Sequence, residues 1–429
     1  MTVLSALLIG NESLTRQCGE AWLSRGHSLT VVVTRHADTR AWAMARGLRV
    51  EAPGKDLAER LSGVRVDWLL SVANLSLVPA AVRAMATRGA VNFHDGPLPG
   101  YAGLNTPVWA LLNGESQHGI TWHLMTDGVD EGDILEQRMF PIVEGETALT
   151  LNTRCFEAAM ESFPAVMAQL EIGLQPVPQD FSRRHVYARL DRPHAFGRLD
   201  FAQPAEAVVR MVRALDHGQY WNPLTTPKIT GSFGVLNVGA ADVVPGKDVP
   251  GAVLSSSPEG VVVACATGAV RLHRLTCQKR GLPVCPSTVA DVATLTGDDA
   301  DRLTRAQAVL APFDTTMRRR LAAMAPITVA GSGAGQGWLR VDIPGDWPSL
   351  AVAMARVSGQ YGPDVALSTT LGQVGYTSGW VPVRVETAGT VGEAKVALKA
   401  ETAPGFALDL MTRDVTLANL AWPQVGISL

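Results

Sequence analysis

Cysteine is scarce and unpatterned in this chain. The five residues Cys18, Cys155, Cys265, Cys277 and Cys285 are odd in number and form no Cys-x-x-Cys pair. Neither a disulfide framework nor a zinc site is indicated, and a reducing cytoplasm fits. No sign of charge dominates: the formal net charge is −3, with 18% charged residues. Such a balance offers no general attraction to nucleic acid, although a local patch can exist. No apolar run reaches the roughly 20 residues of a membrane span, so no membrane association is expected. The apolar start, Met1 to Gly10, lacks a basic leader and runs into Asn11 and Glu12. It reads as a first β-strand, not as a signal peptide. The turn that follows is not a Gly-x-Gly-x-x-Gly loop, and the histidines show no metal-ligand spacing, so no metal is expected.

At 429 residues and 47% hydrophobic composition, the chain is globular and too long for one ordinary core. Residues 1–145 alternate strand and helix patterns, which predicts an α/β, doubly wound, mostly parallel sheet. A helix over about 147–170 places Leu151, Cys155, Ala159, Phe163, Met167 and Leu170 on one side as core. A Pro-containing basic stretch, Gln175 to Arg198, links to a second unit at about 199–284. There a helix and short strands alternate with Gly and Pro at the spacing of a small β-barrel. Residues 285–337 read as a helical and Gly-rich linker, and 338–429 begin a new α+β pattern.

The chemistry concentrates between residues 90 and 135. An apolar run from Gly89 to Val91 delivers Asn92 and His94 onto a Pro/Gly-rich loop, and a strand from Gly119 to Met125 delivers Asp130 onto another. An amide can steady an oxyanion, an imidazole can move a proton near neutral pH, and a carboxylate can orient that imidazole. Together they suit acyl transfer to an amine. His123 shares a strand face with Thr121, with Trp122 opposite, so both are possible additional site residues. A buried core histidine is the competing reading of His123.

Asn92-Phe93-His94, Leu98-Pro99 and Gly128-Val129-Asp130-Glu131-Gly132-Asp133 resemble the signature of the folate-dependent formyltransferases, which include the methionyl-tRNA enzymes. Asn92-Phe93-His94-Asp95-Gly96-Pro97-Leu98-Pro99 and Arg213 to Pro223 look most like the formyltransferase modules of nonribosomal peptide and polyketide assembly lines. The resemblance implies a formyltransferase catalytic domain at 1–180, an OB-like domain at 199–284, and 10-formyltetrahydrofolate as cosubstrate. It gives Asn92, His94 and Asp130 catalytic roles. It places folate against Leu75, Ser76, Leu77 and Val78 and against Met125, Asp127, Gly128 and Val129, although the side chains of Leu75, Leu77 and Val78 by themselves suit plain core. Residues 338–429 resemble the second lobe of condensation and epimerisation domains, but no His-His-x-x-x-Asp motif accompanies them.

The acceptor then reads as a small-molecule or carrier-protein-bound amine of amino-acid type in secondary metabolism. The Gly96–Tyr101 loop carries no cation, which argues against tRNA. The arginines 183, 184, 189, 192, 198, 210 and 213 form a basic stripe, read first as a solvated linker face and second as a surface for an acidic carrier protein. Two rivals stand beside this: a formyltetrahydrofolate hydrolase using the same residues on water, and a noncatalytic docking module.

Overall fold

The computed structural model describes residues 2–278, 281–324, 346–357, 364–368, 375–385, 404–417 and 426–427. The Gly-rich segment 330–337 and the strand expected at 338–343 lie outside these residues. The chain divides into two compact units, Met1–Arg189 and Leu190–Leu429.

The first unit runs β1 (Ser5–Ile9), α1 (Ser13–Ser24), β2 (Ser28–Val33), α2 (Ala37–Ala45), β3 (Arg49–Glu51), α3 (Leu57–Arg60), β4 (Val66–Ser71), α4 (Ala80–Arg83) and β5 (Ala86–His94). It continues through β6 (Ala102–Gly103), α5 (Thr106–Asn113), β7 (Gln117–Leu124), β8 (Ile134–Pro141), α6 (Ala148–Ile172) and β9 (Val186–Tyr187). The main sheet has the order β3-β2-β1-β4-β5-β7-β8. The first five strands are parallel, and β7 and β8 return antiparallel. Strands β1, β2 and β4 are nearly continuous apolar runs because both their faces are covered. One face meets Leu14, Trp22, Cys155, Phe163 and Met167, and the other meets Leu57, Leu61, Val78 and Val82. Helix α6 starts where Thr147 accepts from the Thr150 N–H at 3.2 Å, and its expected apolar stripe is buried throughout. The order reverses between β1 and β4, and in such sheets ligands sit outside the carboxyl ends of the strands. Asn92 and His94 are at that end of β5. They close the strand itself, whereas the sequence suggested a loop, because β5 pairs with β7 as far as His94.

In the second unit α7 (Ala205–Ala214) covers an antiparallel sheet of β10 (Lys228–Gly231), β11 (Gly234–Val244), β12 (Val253–Ser257), β13 (Gly260–Ala264) and β14 (Ala269–Cys277), in the order β10-β11-β14-β13-β12. Val208, Val209 and Val212 pack on Leu236, Val238 and Leu272 in its core. Helices α8 (Gly297–Leu310), α9 (Asp314–Ala322) and α10 (Trp347–Val357) follow. After them come β15 (Asp364–Ser368), β16 (Trp380–Arg384), a short helix at Leu410–Arg413, and β17 (Gly426–Ile427).

The segment around this short helix is tied deeply into the unit. The ammonium of Lys228 donates to Asp409 Oδ2 at 2.7 Å, and Arg413 reaches Asp314 at 3.2 Å, which also meets Arg192 at 3.2 Å. Lys228 and Asp409 are 1% exposed at their side chains. The linker and lobe expected as separate stretches at 285–337 and 338–429 thus contribute described residues to one compact body with 199–284.

Candidate active site

The register of β5 against β7 sets the geometry. Asn92 lies opposite His123 and His94 opposite Thr121, so all four side chains share one face. Trp122 points the other way into the core, where its indole N–H donates to Ser162 at 3.0 Å. Asn92 Nδ2 is 3.1 Å from His123 Nε2, and His123 Nδ1 is 2.8 Å from the Leu124 carbonyl. A carbonyl only accepts, so Nδ1 carries the proton and Nε2 accepts from Asn92. His94 is 5% exposed, and its Nε2 donates to the Tyr101 carbonyl at 2.5 Å. That leaves its Nδ1 facing carboxylates, 3.6 Å from Asp130 and 3.8 Å from Asp95.

Asp130 completes the cluster. One carboxylate oxygen is 3.5 Å from His123 Nε2, and the other accepts from the Gly103 N–H at 2.9 Å. Burial works against its charge. The imidazoles of His94 and His123 and the Gly103 N–H outweigh that penalty and hold the carboxyl well below the usual carboxylate range. Asp130 also has φ of 52°, a left-handed backbone uncommon outside glycine.

Thr121 serves the loop: it accepts from the Leu98 N–H at 3.1 Å and donates to the Gly96 carbonyl at 2.8 Å, which fixes the Leu98-Pro99 turn over the site. Gly96 must be glycine here, since a Cβ would lie 2.4 Å from the Tyr101 carbonyl and 2.8 Å from His94 Nε2.

The residues implied for folate divide by environment. Leu75 and Leu77 stand 80% and 83% exposed, which core packing does not explain, and Val129 is exposed as well. Asn74 shapes their loop, donating to the Ser76 carbonyl at 2.8 Å and accepting from its N–H at 3.1 Å. Val78, in contrast, belongs to the core. Met125 packs beside that core and spends its N–H on the Ala90 carbonyl at 2.8 Å. The Asp127 carboxylate pairs with Arg83, and Gly128 takes its place in the turn between Asp127 and Val129. Among the described residues no group of three or more His, Cys, Asp or Glu side chains is arranged to hold a metal ion. Nor among them is any helix long and apolar enough to cross a membrane.

His118, set aside by its spacing, is fully buried beneath the site. Its Nε2 donates to the Asp95 carbonyl at 2.8 Å, and burial pushes its pKa down to about 4. A neutral histidine in the fold opposes a protonated one in the unfolded chain below its usual value of about 6.5. Stability therefore declines as pH falls from about 6.5 towards 4 and stops declining below that. His118→Gln is expected to flatten this part of the stability–pH curve, measured by urea unfolding at pH 5 and pH 7.

An amide, two imidazoles and a carboxylate gathered at the carboxyl end of a doubly wound sheet equip a group-transfer enzyme. Residues 29–167 match the formyl transferase family model, and residues 193–283 match the formyl transferase C-terminal domain. A methionyl-tRNA formyltransferase of Thiobacillus denitrificans is 30% identical over 275 residues, covering 60% of this chain and 86% of that protein. One from a Synechococcus strain is 32% identical over 246 residues, covering 55% and 75%. The chain belongs to the folate-dependent formyltransferase family and is a formyl-transferring enzyme. Solved structures share its fold. A sugar 3N-formyl transferase in the presence of dTDP and 5-N-formyl-THF superposes with a TM-score of 0.52 at 16% identity, covering 64% of this chain and 98% of that one. An N-formyltransferase from Helicobacter canadensis, in complex with folinic acid and dTDP-3-aminofucose, gives 0.51 at 16% identity, covering 63% and 100%.

The expectation against tRNA is corrected by these relatives, since the curated proteins at 30–33% identity are named for methionyl-tRNA. A cation-free Gly96–Tyr101 loop was too narrow a basis for excluding a polyanion that contacts a much wider surface. The arginine stripe is corrected too. Arg184 is drawn onto the Val129 carbonyl, Arg192 onto Asp314, and Arg198 is 7% exposed with its guanidinium on the carbonyls of Ala293 and Thr294. Those three are internal ties, so the stripe is no continuous solvated face for an acidic partner.

Proposed function

We propose that Asn92, His94 and Asp130 carry formyl transfer from 10-formyltetrahydrofolate to a primary amine of aminoacyl type. The observation that carries this is the convergence on Asp130 of His94 Nδ1 at 3.6 Å and His123 Nε2 at 3.5 Å, with Asn92 hydrogen-bonded to His123 beside them. Asn92 has two amide protons, and the one not given to His123 can meet the formyl oxygen as charge grows on it. His94 Nδ1 takes the proton that the attacking amine releases and returns it to the nitrogen that leaves the formyl carbon. Asp130 stays ionised and steadies the imidazolium that His94 becomes when its Nδ1 takes that proton. The amine nitrogen forms the new bond to the formyl carbon, and the bond to the folate nitrogen breaks.

The exposed Leu75, Leu77 and Val129 fit the donor, because apolar side chains standing in water gain by lying against a flat ring system. We also read the five-stranded sheet as an OB-like barrel and the residues after 338 as a condensation-like lobe, on the sequence resemblance. A cytoplasmic location belongs to the same reading and is supported by five free thiols. On the acceptor, the names of the curated relatives put methionyl-tRNA first, and an amino-acid-like amine of secondary metabolism is the narrower reading.

The donor half is tested by thermal unfolding with a nonhydrolysable formyltetrahydrofolate analogue. At about 100 times its dissociation constant the ligand should add roughly 2.7 kcal/mol. An unmoved melting curve at millimolar analogue would remove folate from the proposal. The acceptor half is tested by assaying methionyl-tRNA, free methionine and a nucleotide-linked amino sugar side by side. Turnover of the amino sugar alone would overturn the aminoacyl class.

A further inference from the structure

The stretch leaving α6 was expected to be a linker, yet it binds both loops that build the site. Val177 exchanges two backbone hydrogen bonds with Ile134, each 2.8 Å. Gln179 Nε2 then donates to the carbonyls of Asp130 at 2.9 Å and Gly132 at 2.6 Å. Arg184 donates to the Val129 carbonyl at 2.6 Å and sits 3.2 Å from the Glu131 carboxylate. The next residues turn to the other loop. The His185 N–H donates to the Pro99 carbonyl at 3.2 Å, and β9 pairs with β6 through Ala102 to His185 at 3.0 Å and Leu104 to Tyr187 at 2.9 Å. The Tyr187 ring stacks on Trp109 on one side and on Tyr101 on the other, with centroids 5.1 and 5.3 Å away.

Asp130 is therefore gripped twice by one segment. Gln179 holds its backbone carbonyl directly. Its carboxylate is held by the N–H of Gly103, which β9 fixes in place. The approach of β9 is so close that a Cβ on Gly103 would fall 2.1 Å from the Tyr187 carbonyl, and Gly103 takes φ of 98°. A left-handed Asp130 persists only where its surroundings over-determine it. The two grips are that over-determination. A mere connector needs neither contact, and the same segment also fixes the backbone around Tyr101, whose carbonyl binds His94.

We infer that residues Val177 to Tyr187 form a strap that sets the Asp130 carboxylate against His94 and His123, and that Gln179 is a positioning residue for formyl transfer. The inference rests on the role given to Asp130 above. Gln179→Leu removes both hydrogen bonds, Gln179→Glu keeps the shape but sets a carboxylate against two carbonyls, and Gln179→Lys keeps a donor. The full chain is compared with each variant in two measurements. Per folded enzyme, kcat is expected to fall about tenfold to a hundredfold in the Leu and Glu variants, the scale of a misplacement near 1 Å, and to recover largely in the Lys variant. KM for the amine should stay near wild type. In the second measurement, carbon NMR follows the Asp130 carboxyl, which faces His94 from β5, His123 from β7 and the Gly103 N–H. Its titration should climb towards the ordinary value of about 3.9 in the Leu and Glu variants. Variants that lower only the melting temperature, with kcat and the Asp130 titration unmoved, would show a plain connector and overturn the strap. A wild-type protein without transfer activity would instead count against the proposed function, and the titration would still decide the strap.

Discussion

Alanine at Asn92, His94 or Asp130 is expected to lower formyl transfer by about two to four orders of magnitude, the usual loss for an oxyanion donor or an acid–base group. The three losses should not add. In the proposed chemistry Asp130 serves the His94 that moves the proton, and Asn92 is linked through His123 to the same carboxylate, so the triple variant should fall little below the worst single one. Their positions also carry a stability cost that loop residues would not. His94 is 5% exposed, and removing its ring leaves the Tyr101 carbonyl without its donor and Asp130 with one imidazole. An unpaired buried polar group costs about 1–3 kcal/mol, so the rates must be normalised to the folded fraction from an unfolding curve. Near-normal turnover of folded His94→Ala would remove this histidine from the chemistry.

The largest loss of stability is expected in the second unit. Asp409→Ala leaves Lys228 buried among the Phe196 and Thr226 carbonyls and Thr225, without its counter-charge. Burial already pushes the Lys228 pKa down to about 8 even with Asp409 present. Breaking one side of such a pair costs about 3–5 kcal/mol, whereas the double change Lys228→Met, Asp409→Leu should cost much less. Urea unfolding of the two variants reads the difference directly. Equal stabilities would mean that the pair is not coupled. A chain shortened to end near residue 330 loses Asp409 altogether, and its second unit should be weakened on the same scale. Any loss of activity on truncation must therefore be separated from loss of folding.

The contrast between Asp130 and Asp409 shows how far the sequence could be read. Asn92 and His94 close one strand and Asp130 lies in the loop beyond the next, within one short interval. Strand alternation puts His123 on the face of Thr121, although its pairing with Asn92 needs the register of β5 on β7. The apolar runs of β1, β2 and β4 and the stripe of α6 were equally plain, since burial of two faces or of one leaves its own trace in the sequence. Gln179 leaves none: its partners are 49 and 47 residues away and are backbone carbonyls, which any residue supplies. Lys228 and Asp409 are 181 residues apart, and neither sits in a pattern that distinguishes a buried ion from a solvated one. The same blindness turned Arg184, Arg192 and Arg198 into a surface stripe. For Leu75 and Leu77 the side chains alone suited core, yet both stand in solvent, and the family resemblance, not the residue type, assigned them to folate.

The most direct measurement follows a carbon-13 label placed in the formyl group of 10-formyltetrahydrofolate, with an aminoacyl amine present and the His94→Ala variant run beside the wild type. The expected result is label in the formamide of the acceptor, with formate no faster than without enzyme and with the variant slower by about two to four orders of magnitude. Label recovered as formate in the wild type, at a rate indifferent to the amine, would make the enzyme a hydrolase and contradict transfer.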